Sequence, residues 1–272
     1  MKLLLTLLVT FSFSHAWSAK ITSDIDSIDI GTESEPHLIM LSSGDVVFLD
    51  PGTERDQLLN ELEESFQDSE TLEFTIDDHR SLLTYRRVTI DQFKNENAHL
   101  PLTSLGPTPV TLTQSQKIFR NMRRGWQNNS QCYNRAHIWS YEEFKRSGVE
   151  SMKLFLFFTS RYIRNYRYKW WFHVTPMVTL TDGTWRTLDK RYSRSPLKVK
   201  TWTDDFIYSR RSCPVVHRYS DYRNYQNAED CYLIPVSQYY WQPRDIDRFE
   251  RTGYEKTNFI SSEINHAYWE AF

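Results

Sequence analysis

The chain is 272 residues long with a net charge of −2, room for one large or two small domains around a real core. No segment reaches the roughly 18 consecutive apolar residues of a membrane helix, which argues against a membrane-spanning helix. The near-neutral average hides a division: residues 21–78 hold 17 Asp/Glu against one basic residue, whereas residues 114–223 hold 22 Lys/Arg against 8 Asp/Glu. Fifteen of the 16 tyrosines lie beyond residue 130. Opposite signs in one chain suit a first unit docked onto the second through complementary fields, or a separate acidic domain on a solvated linker.

The chain opens as a secretory signal. Lys2 precedes an apolar run over residues 3–13, and Ser14-His15-Ala16 fits small-x-small cleavage after Ala16. Residues 1–16 are therefore read as a signal peptide. The mature protein is expected to be exported (periplasmic or secreted), soluble and in an oxidising compartment. Residues 20–99 read as a small α+β module. His37–Leu41 and Val46–Leu49 flank Ser42-Ser43-Gly44-Asp45 as a hairpin. Leu58, Leu59, Leu62 and Phe66 have helical spacing after the Pro51-Gly52 turn. Leu72, Phe74 and Ile76 alternate as a strand, and residues 82–90 add another. Residues 100–112, with Pro101, Gly106, Pro107 and Pro109, read as a linker. The chain has no internal repeats and no low-complexity tracts.

The second unit is expected over residues 113–272. Residues 114–126 read as a helix with Ile118 and Met122 on one face and Phe119 beside them. Asn128, Asn129 and Ser130 are placed to cap a further helix that starts near Cys132. On it Tyr133, Ala136, Ser140 and Phe144 share one face, Arg135, Glu142, Lys145 and Arg146 the opposite one, and Gly148 is the stop. Residues 153–158 read as a buried strand, residues 161–169 as a basic, tyrosine-rich loop, and residues 170–180 as an alternating strand. Asp182-Gly183 turns into a second strand over residues 184–189. Beyond Ser193 the periodicity is weak, with a loop and final helix over residues 254–269.

Cys132 falls in the first turn of its helix, where free N–H groups and the positive dipole end favour thiolate. The other reading is a small buried hydrophobe. Cys213 and Cys231 lie 18 residues apart and can close a loop, which stabilises by roughly 3 kcal/mol. Cys132 is then left over, although pairing with either of the others stays open. An unpaired cysteine that survives export is kept for its chemistry. Thiol catalysis needs a base and a group that orients it. Trp170, Phe172, Val174, Val178 and Leu180 make the apolar face of their strand, so His173 points the other way, toward a cleft. Asp189 closes the next strand and can hold one ring nitrogen. A two-residue turn would put His173 and Asp189 on opposite faces. They meet only if the loop is odd in length, as with three residues and Gly183 at positive φ, or if a bulge at Pro176 shifts the register.

The rivals are weaker. His137 lies about 140° round the helix from Cys132 and reads as structural. His217 falls inside the cysteine loop, and His37, His79, His99 and His266 belong to no motif. No Cys/His/Asp group has metal-ligand spacing. Glu142-Glu143 and Asp204-Asp205 read as solvated charge. Trp139 and Trp171 are core residues or cleft walls, and Tyr162, Tyr166 and Tyr168 are expected to line a shallow groove. A basic tyrosine-rich surface can bind nucleic acid, but export and an acidic companion unit argue against it.

Gln131-Cys132-Tyr133-Asn134-Arg135-Ala136-His137, Trp171-Phe172-His173-Val174, Leu188-Asp189 and Val199-Lys200-Thr201-Trp202 resemble the motif blocks of the bacterial protein-glutaminases. These are secreted protein-glutamine deamidases related in fold to transglutaminase-like and papain-like cysteine hydrolases. The resemblance covers residues 131–205 and departs at Lys190, where the family usually has proline. It implies an α+β catalytic domain, with the cysteine on a helix N-terminus packed on an antiparallel sheet that carries histidine and aspartate. Cys132 would be nucleophile, His173 base and Asp189 orienter, with Gln131, Asn128 and Trp171 around the oxyanion and substrate. It also implies an acidic pro-segment that covers the site. The expected function is deamidation of glutamine side chains in proteins or peptides by a monomer, with no cofactor, metal, membrane or nucleic-acid partner. A transglutaminase or cysteine peptidase on the same residues, and a non-enzymatic exported binding module, are the alternatives.

Overall fold

Two continuous apolar runs and a set of alternating strands near the N-terminus build an antiparallel sheet that is buried on both faces at the β2–β3 hairpin and on one face elsewhere. The structure, a computed structural model, describes residues 18–52, 54–88 and 107–272. The expected signal peptide, His99, the end of the expected strand at 89–90 and residues 100–106 of the expected linker lie outside these residues. Strand β1 (Ala19–Asp29) is followed by β2 (His37–Leu41), β3 (Val46–Leu49), helix α1 (Arg55–Gln67), β4 (Thr71–Ile76) and β5 (Leu82–Arg87). The sheet order is β3-β2-β1-β4-β5. One face packs Ile39, Leu41, Val47 and Leu49 with Leu72, Phe74 and Leu62 of α1. The expected helix and hairpin are present, except that Phe66 at the end of α1 is exposed. Strand β1 has no counterpart in the sequence reading; it pairs with β2 on one side and β4 on the other.

The second half follows as α2 (Leu112–Asn121), α3 (Cys132–Ser147), β6 (Met152–Phe158), α4 (Ser160–Tyr166), β7 (Phe172–Thr179), β8 (Trp185–Thr187), β9 (Leu197–Lys198) and α5 (Val199–Asp204). It ends with α6 (Tyr219–Asn224), β10 (Cys231–Ser237), α7 (Pro243–Thr252) and α8 (Ser261–Ala271). Its sheet has the order β10-β6-β7-β8-β9, antiparallel throughout. The chain is thus mixed α+β with two antiparallel sheets.

Several expectations are corrected here. Residues 110–112, assigned to the linker, are ordered parts of this half: Val110 bridges to Leu180 and Thr111 caps α2 through the Gln114 N–H. The expected helix over 114–126 is shorter and ends at Asn121. Residues 161–169 are not a loop: Thr159 caps α4 by accepting from the Tyr162 N–H. Tyr162 and Tyr168 are buried in the main core and only Tyr166 is exposed, so these tyrosines line no groove. Cys213 and Cys231 are disulfide-bonded, with Cα atoms 5.0 Å apart.

The two halves share a core. Leu38, Met40, Val46 and Phe48, from the second face of the β2–β3 hairpin, join the cluster that holds Phe157, Trp171 and Phe172. The backbones are stitched as well: Val46 N–H donates to the Lys169 carbonyl (2.9 Å) and Trp171 N–H to the Gly44 carbonyl (3.0 Å). Gly44 has φ +91°, and a Cβ there would stand 3.1 Å from the Phe172 ring, so the turn tolerates no side chain. Arg164 pairs with Asp29 (2.6 Å), and Arg167 grips both oxygens of Asp50 (3.0 and 3.2 Å). The acidic half therefore lies on the basic one.

Candidate active site

Cys132 is the first residue of α3, and Gln131, in extended conformation, is its N-cap. No side chain caps the helix. Asn128, Asn129 and Ser130 instead form the approach to it, where Ser130 Oγ donates to the Gln127 carbonyl (2.7 Å). The first-turn N–H groups then have no acceptor within the helix and present its positive end. Cys132 is half-buried and carries a free thiol.

The approach loop is fixed from three sides. Arg135, expected to face solvent, is buried because its Nη1 donates to the Ser130 carbonyl and to Ser130 Oγ. Arg191 Nη2 donates to the Asn128 carbonyl (2.8 Å). From α8, the Ala271 carbonyl accepts from Gln127 N–H (2.9 Å) and the Trp269 carbonyl from Gln127 Nε2 (2.9 Å). Glu270 takes the Asn134 amide (2.6 Å), whose oxygen accepts from Trp241 Nε1 (2.9 Å). The aromatic C-terminal region, unassigned from sequence, thus holds the loop ahead of the thiol.

His173 lies in β7 and Asp189 just past β8. Val178 pairs with Arg186 and Thr179 with Trp185, and Leu180 N–H donates to the Thr184 carbonyl (2.7 Å). The loop is therefore Thr181-Asp182-Gly183, three residues, with Gly183 at φ +81°. Residues of like parity then face the same way, which places His173 and Asp189 on one face without a register shift at Pro176. His173 Nε2 is hydrogen-bonded to Asp189 Oδ2 at 2.6 Å, and Trp202 Nε1 donates to that oxygen at 3.0 Å. The other ring nitrogen is left for Cys132, whose side chain is close enough to raise the pKa of the imidazole.

The ring does not stand open in a cleft as the strand alternation suggests. It is 1% exposed, stacked between Trp170 (5.8 Å) and Trp202 (5.7 Å), with Phe206 4.5 Å away. Burial disfavours its charge, but Asp189 and then Cys132 outweigh that and raise its pKa from 6.5 to about 9. Asp189 is buried too; burial pushes its carboxyl upward, and His173, Trp202 and Arg135 together hold it below the usual range. At neutral pH the ring is an imidazolium beside the Cys132 sulfur at a helix N-terminus, an arrangement suited to nucleophilic attack on a carbonyl followed by proton delivery.

The cleft in front of Cys132 is lined by both halves of the chain: Gln131, Trp170, Tyr192 and Arg244 on one side, Asp24 and Ser43 on the other. Trp171, expected near the substrate, is a correction. It is 1% exposed and its Nε1 donates to the Leu41 carbonyl (2.8 Å), so it joins the two sheets, and Trp170 is the wall. Trp139 is core. His137 is buried against Lys153 Nζ (2.6 Å). The acidic pairs are not simply solvated: Glu142 accepts from Arg123 and Tyr268, Glu143 is buried with Arg146 and Ser147, and Asp204 pairs with Lys200. Lys190, the departure from the family pattern, is buried and donates to the carbonyls of Phe119, Arg120 and Met122 at 2.5–2.8 Å. It ties the residue after Asp189 to the end of α2, and the departure itself was the only sequence signal for it. Among the described residues no group of three His, Cys, Asp or Glu could hold a metal ion, and no helix is long and apolar enough to cross a membrane.

A family profile described as Glutaminase matches residues 110–206. The chain carries a glutaminase-family segment. The match runs from the strand-like entry to α2 through α5 and includes Cys132, His173 and Asp189, so the resemblance seen in the sequence is borne out there. Among solved structures, pro-protein-glutaminase is similar over 81% of this chain and 83% of that one, at 11% identity and TM-score 0.45. A mutant of pro-protein-glutaminase is similar over 82% and 83%, at 12% identity and TM-score 0.47. The NMR structure of protein-glutaminase from Chryseobacterium proteolyticum is similar over 49% and 75%, at 15% identity and TM-score 0.32. No curated protein matches the chain.

Proposed function

We propose that this glutaminase-family protein deamidates glutamine side chains in proteins or peptides, with Cys132 as nucleophile, His173 as base and Asp189 as orienter. The observation that carries the reading is the line from Cys132 through His173 to Asp189 inside the glutaminase-matching segment. The scaffold is read as transglutaminase-like and papain-like: a cysteine at a helix N-terminus, packed on an antiparallel sheet that bears the other two residues.

The Cys132 thiolate, whose proton is held by His173, attacks the side-chain amide carbon, and the oxyanion is held by the Cys132 N–H and a second donor from the Gln131–Asn128 neighbourhood. Imidazolium His173 gives its proton to the leaving nitrogen, ammonia departs, and a thioester remains. Neutral His173 then takes a proton from water, whose oxygen forms the new bond to the acyl carbon. Glutamate leaves, and the Cys132 thiolate beside imidazolium His173 is restored. The protein works as an exported monomer without a cofactor, and the acidic half is a pro-segment that restricts the cleft it helps to line.

The test is ammonia release from casein and from a blocked glutamine dipeptide. Three samples are compared: the full chain, the same protein digested until its acidic half is degraded, and Cys132→Ala treated alike. Ammonia that rises on digestion and is absent from Cys132→Ala is expected. Isopeptide cross-links or peptide cleavage in place of ammonia would replace the deamidase by a transglutaminase or peptidase. A Cys132 that no thiol reagent titrates would reduce the protein to a binding module.

A further inference from the structure

The deamidase reading leaves open which glutamines are taken, and the cations around the cleft bear on that choice. Arg191, two residues past Asp189, lines the cleft and uses Nη2 on the Asn128 carbonyl. Its Nη1 is buried without a hydrogen-bond partner. A guanidinium nitrogen kept dry and unpaired is costly unless a ligand comes to it. Lys169 lines the same cleft; its Nζ lies over the Trp170 ring at 4.2 Å, and that indole stacks on His173. Arg244, exposed at the start of α7, lies over the Trp241 ring at 5.9 Å on the cleft's other flank.

The carboxylates of the basic half that share this wall are already engaged. Glu270 binds Asn134 and His266, and Glu263 binds Lys256. What faces the three cations is the acidic half. Asp45, which also pairs with Arg80 of its own half (2.9 Å), is the carboxylate next to Lys169 and Asp26 the one next to Arg244, while among the described residues Arg191 forms no ion pair. Once the acidic half is gone, the cleft keeps its cations and loses the carboxylates opposite them.

We propose that Arg191, Lys169 and Arg244 form a carboxylate-receiving rim, so that the enzyme prefers glutamines flanked by aspartate or glutamate. This rests on the deamidase reading and adds the substrate class. Arg191 takes a carboxylate beside the target glutamine on its free Nη1. Lys169 and Arg244 attract acidic residues farther along the peptide as point charges.

The experiment measures ammonia release from blocked pentapeptides with central glutamine, flanked by glutamate, alanine or lysine, using the full chain and, beside it, the digested protein. At low salt, kcat/KM should fall in the order acidic, neutral, basic, by about fivefold per step, the scale of a few rim charge pairs. The spread should collapse near 1 M salt, where the screening length is about 3 Å. Arg191→Gln, which keeps a donor for the Asn128 carbonyl, should cut the acidic-to-neutral ratio several-fold. A uniform loss on all three peptides would make Arg191 merely structural, and the wild-type series then decides alone. Equal rates, or a basic preference, in the wild type at low salt would overturn the inference while leaving the deamidase intact. Ammonia from none of the peptides would remove both.

Discussion

Replacing Asp189 by Asn tests what keeps His173 charged. The rise of the ring pKa from 6.5 to about 9 corresponds, at 1.36 kcal/mol per pH unit, to about 3 kcal/mol in favour of imidazolium. Burial acts in the other direction, so the gross attraction from Asp189 and Cys132 is larger still. Asn at this position keeps a side chain that can bond to Nε2 and to Trp202 but removes the ionic part. Burial then dominates, and the ring of Asp189→Asn should titrate below 6.5 and stand neutral at pH 7. Cys132→Ala should lower the value by less, since the sulfur contributes less than the carboxylate. The ring nitrogens can be followed by NMR from about pH 5 to 10, the window in which this histidine changes charge. Linkage adds a second readout. The folded value lies above the unfolded one, so the stabilisation is complete below pH 6.5 and is lost as pH climbs through about 9. Urea midpoints of the wild type should fall over that interval, and those of Asp189→Asn should be flatter there. A wild-type ring that titrates at or below 6.5, or a curve unmoved in Asp189→Asn, would refute the argument.

Two further outcomes follow from contacts away from the thiol. Lys190→Met should lower stability by about 2 kcal/mol in urea, because the three carbonyls that Lys190 caps lose their donor in a buried place; an unchanged midpoint would mean that water replaces the ammonium at no cost. Before reduction a thiol reagent should label Cys132 alone, and reduction of Cys213–Cys231 should then cost about 3 kcal/mol, the value for a loop of this length. Labelling of a second cysteine in the folded, unreduced protein would contradict the pairing.

The β2–β3 hairpin was legible because apolar residues flank a four-residue polar turn, and α3 because its apolar stripe ends at Gly148. Strand β1 was not, because Asp and Ser alternate with its isoleucines and make an interior strand look solvated. Strand β10 holds Pro235, which argues against a central strand; it is an edge strand, where proline is tolerated. The side of β7 that carries His173 reads as polar, yet aromatic residues from α5 and the following turn, far along the chain, close over it. At the site itself, parity required either an odd hairpin loop or a register shift at Pro176, and the loop has three residues. The burial of Arg135 and Lys190 is not legible in the sequence because what buries a cation is a set of backbone carbonyls, which no residue pattern announces. The choice between core and cleft wall for Trp171 is not legible for a related reason: its indole partner, the Leu41 carbonyl, belongs to the other sheet.

That shared seam shapes how the molecule could come apart. Leu38, Met40, Val46 and Phe48 pack in one cluster with Phe157, Trp171 and Phe172, and the Arg164 and Arg167 ion pairs cross beside them. Cutting the backbone between the two sheets breaks none of these contacts, so a nicked molecule should stay associated. Once the first sheet departs, the aromatic surface it covered meets water as one continuous patch, of the kind that drives self-association. The acidic half is thereby also a solubility partner, and the freed basic half would be expected to survive longest where it is dilute or where another surface takes the vacated place.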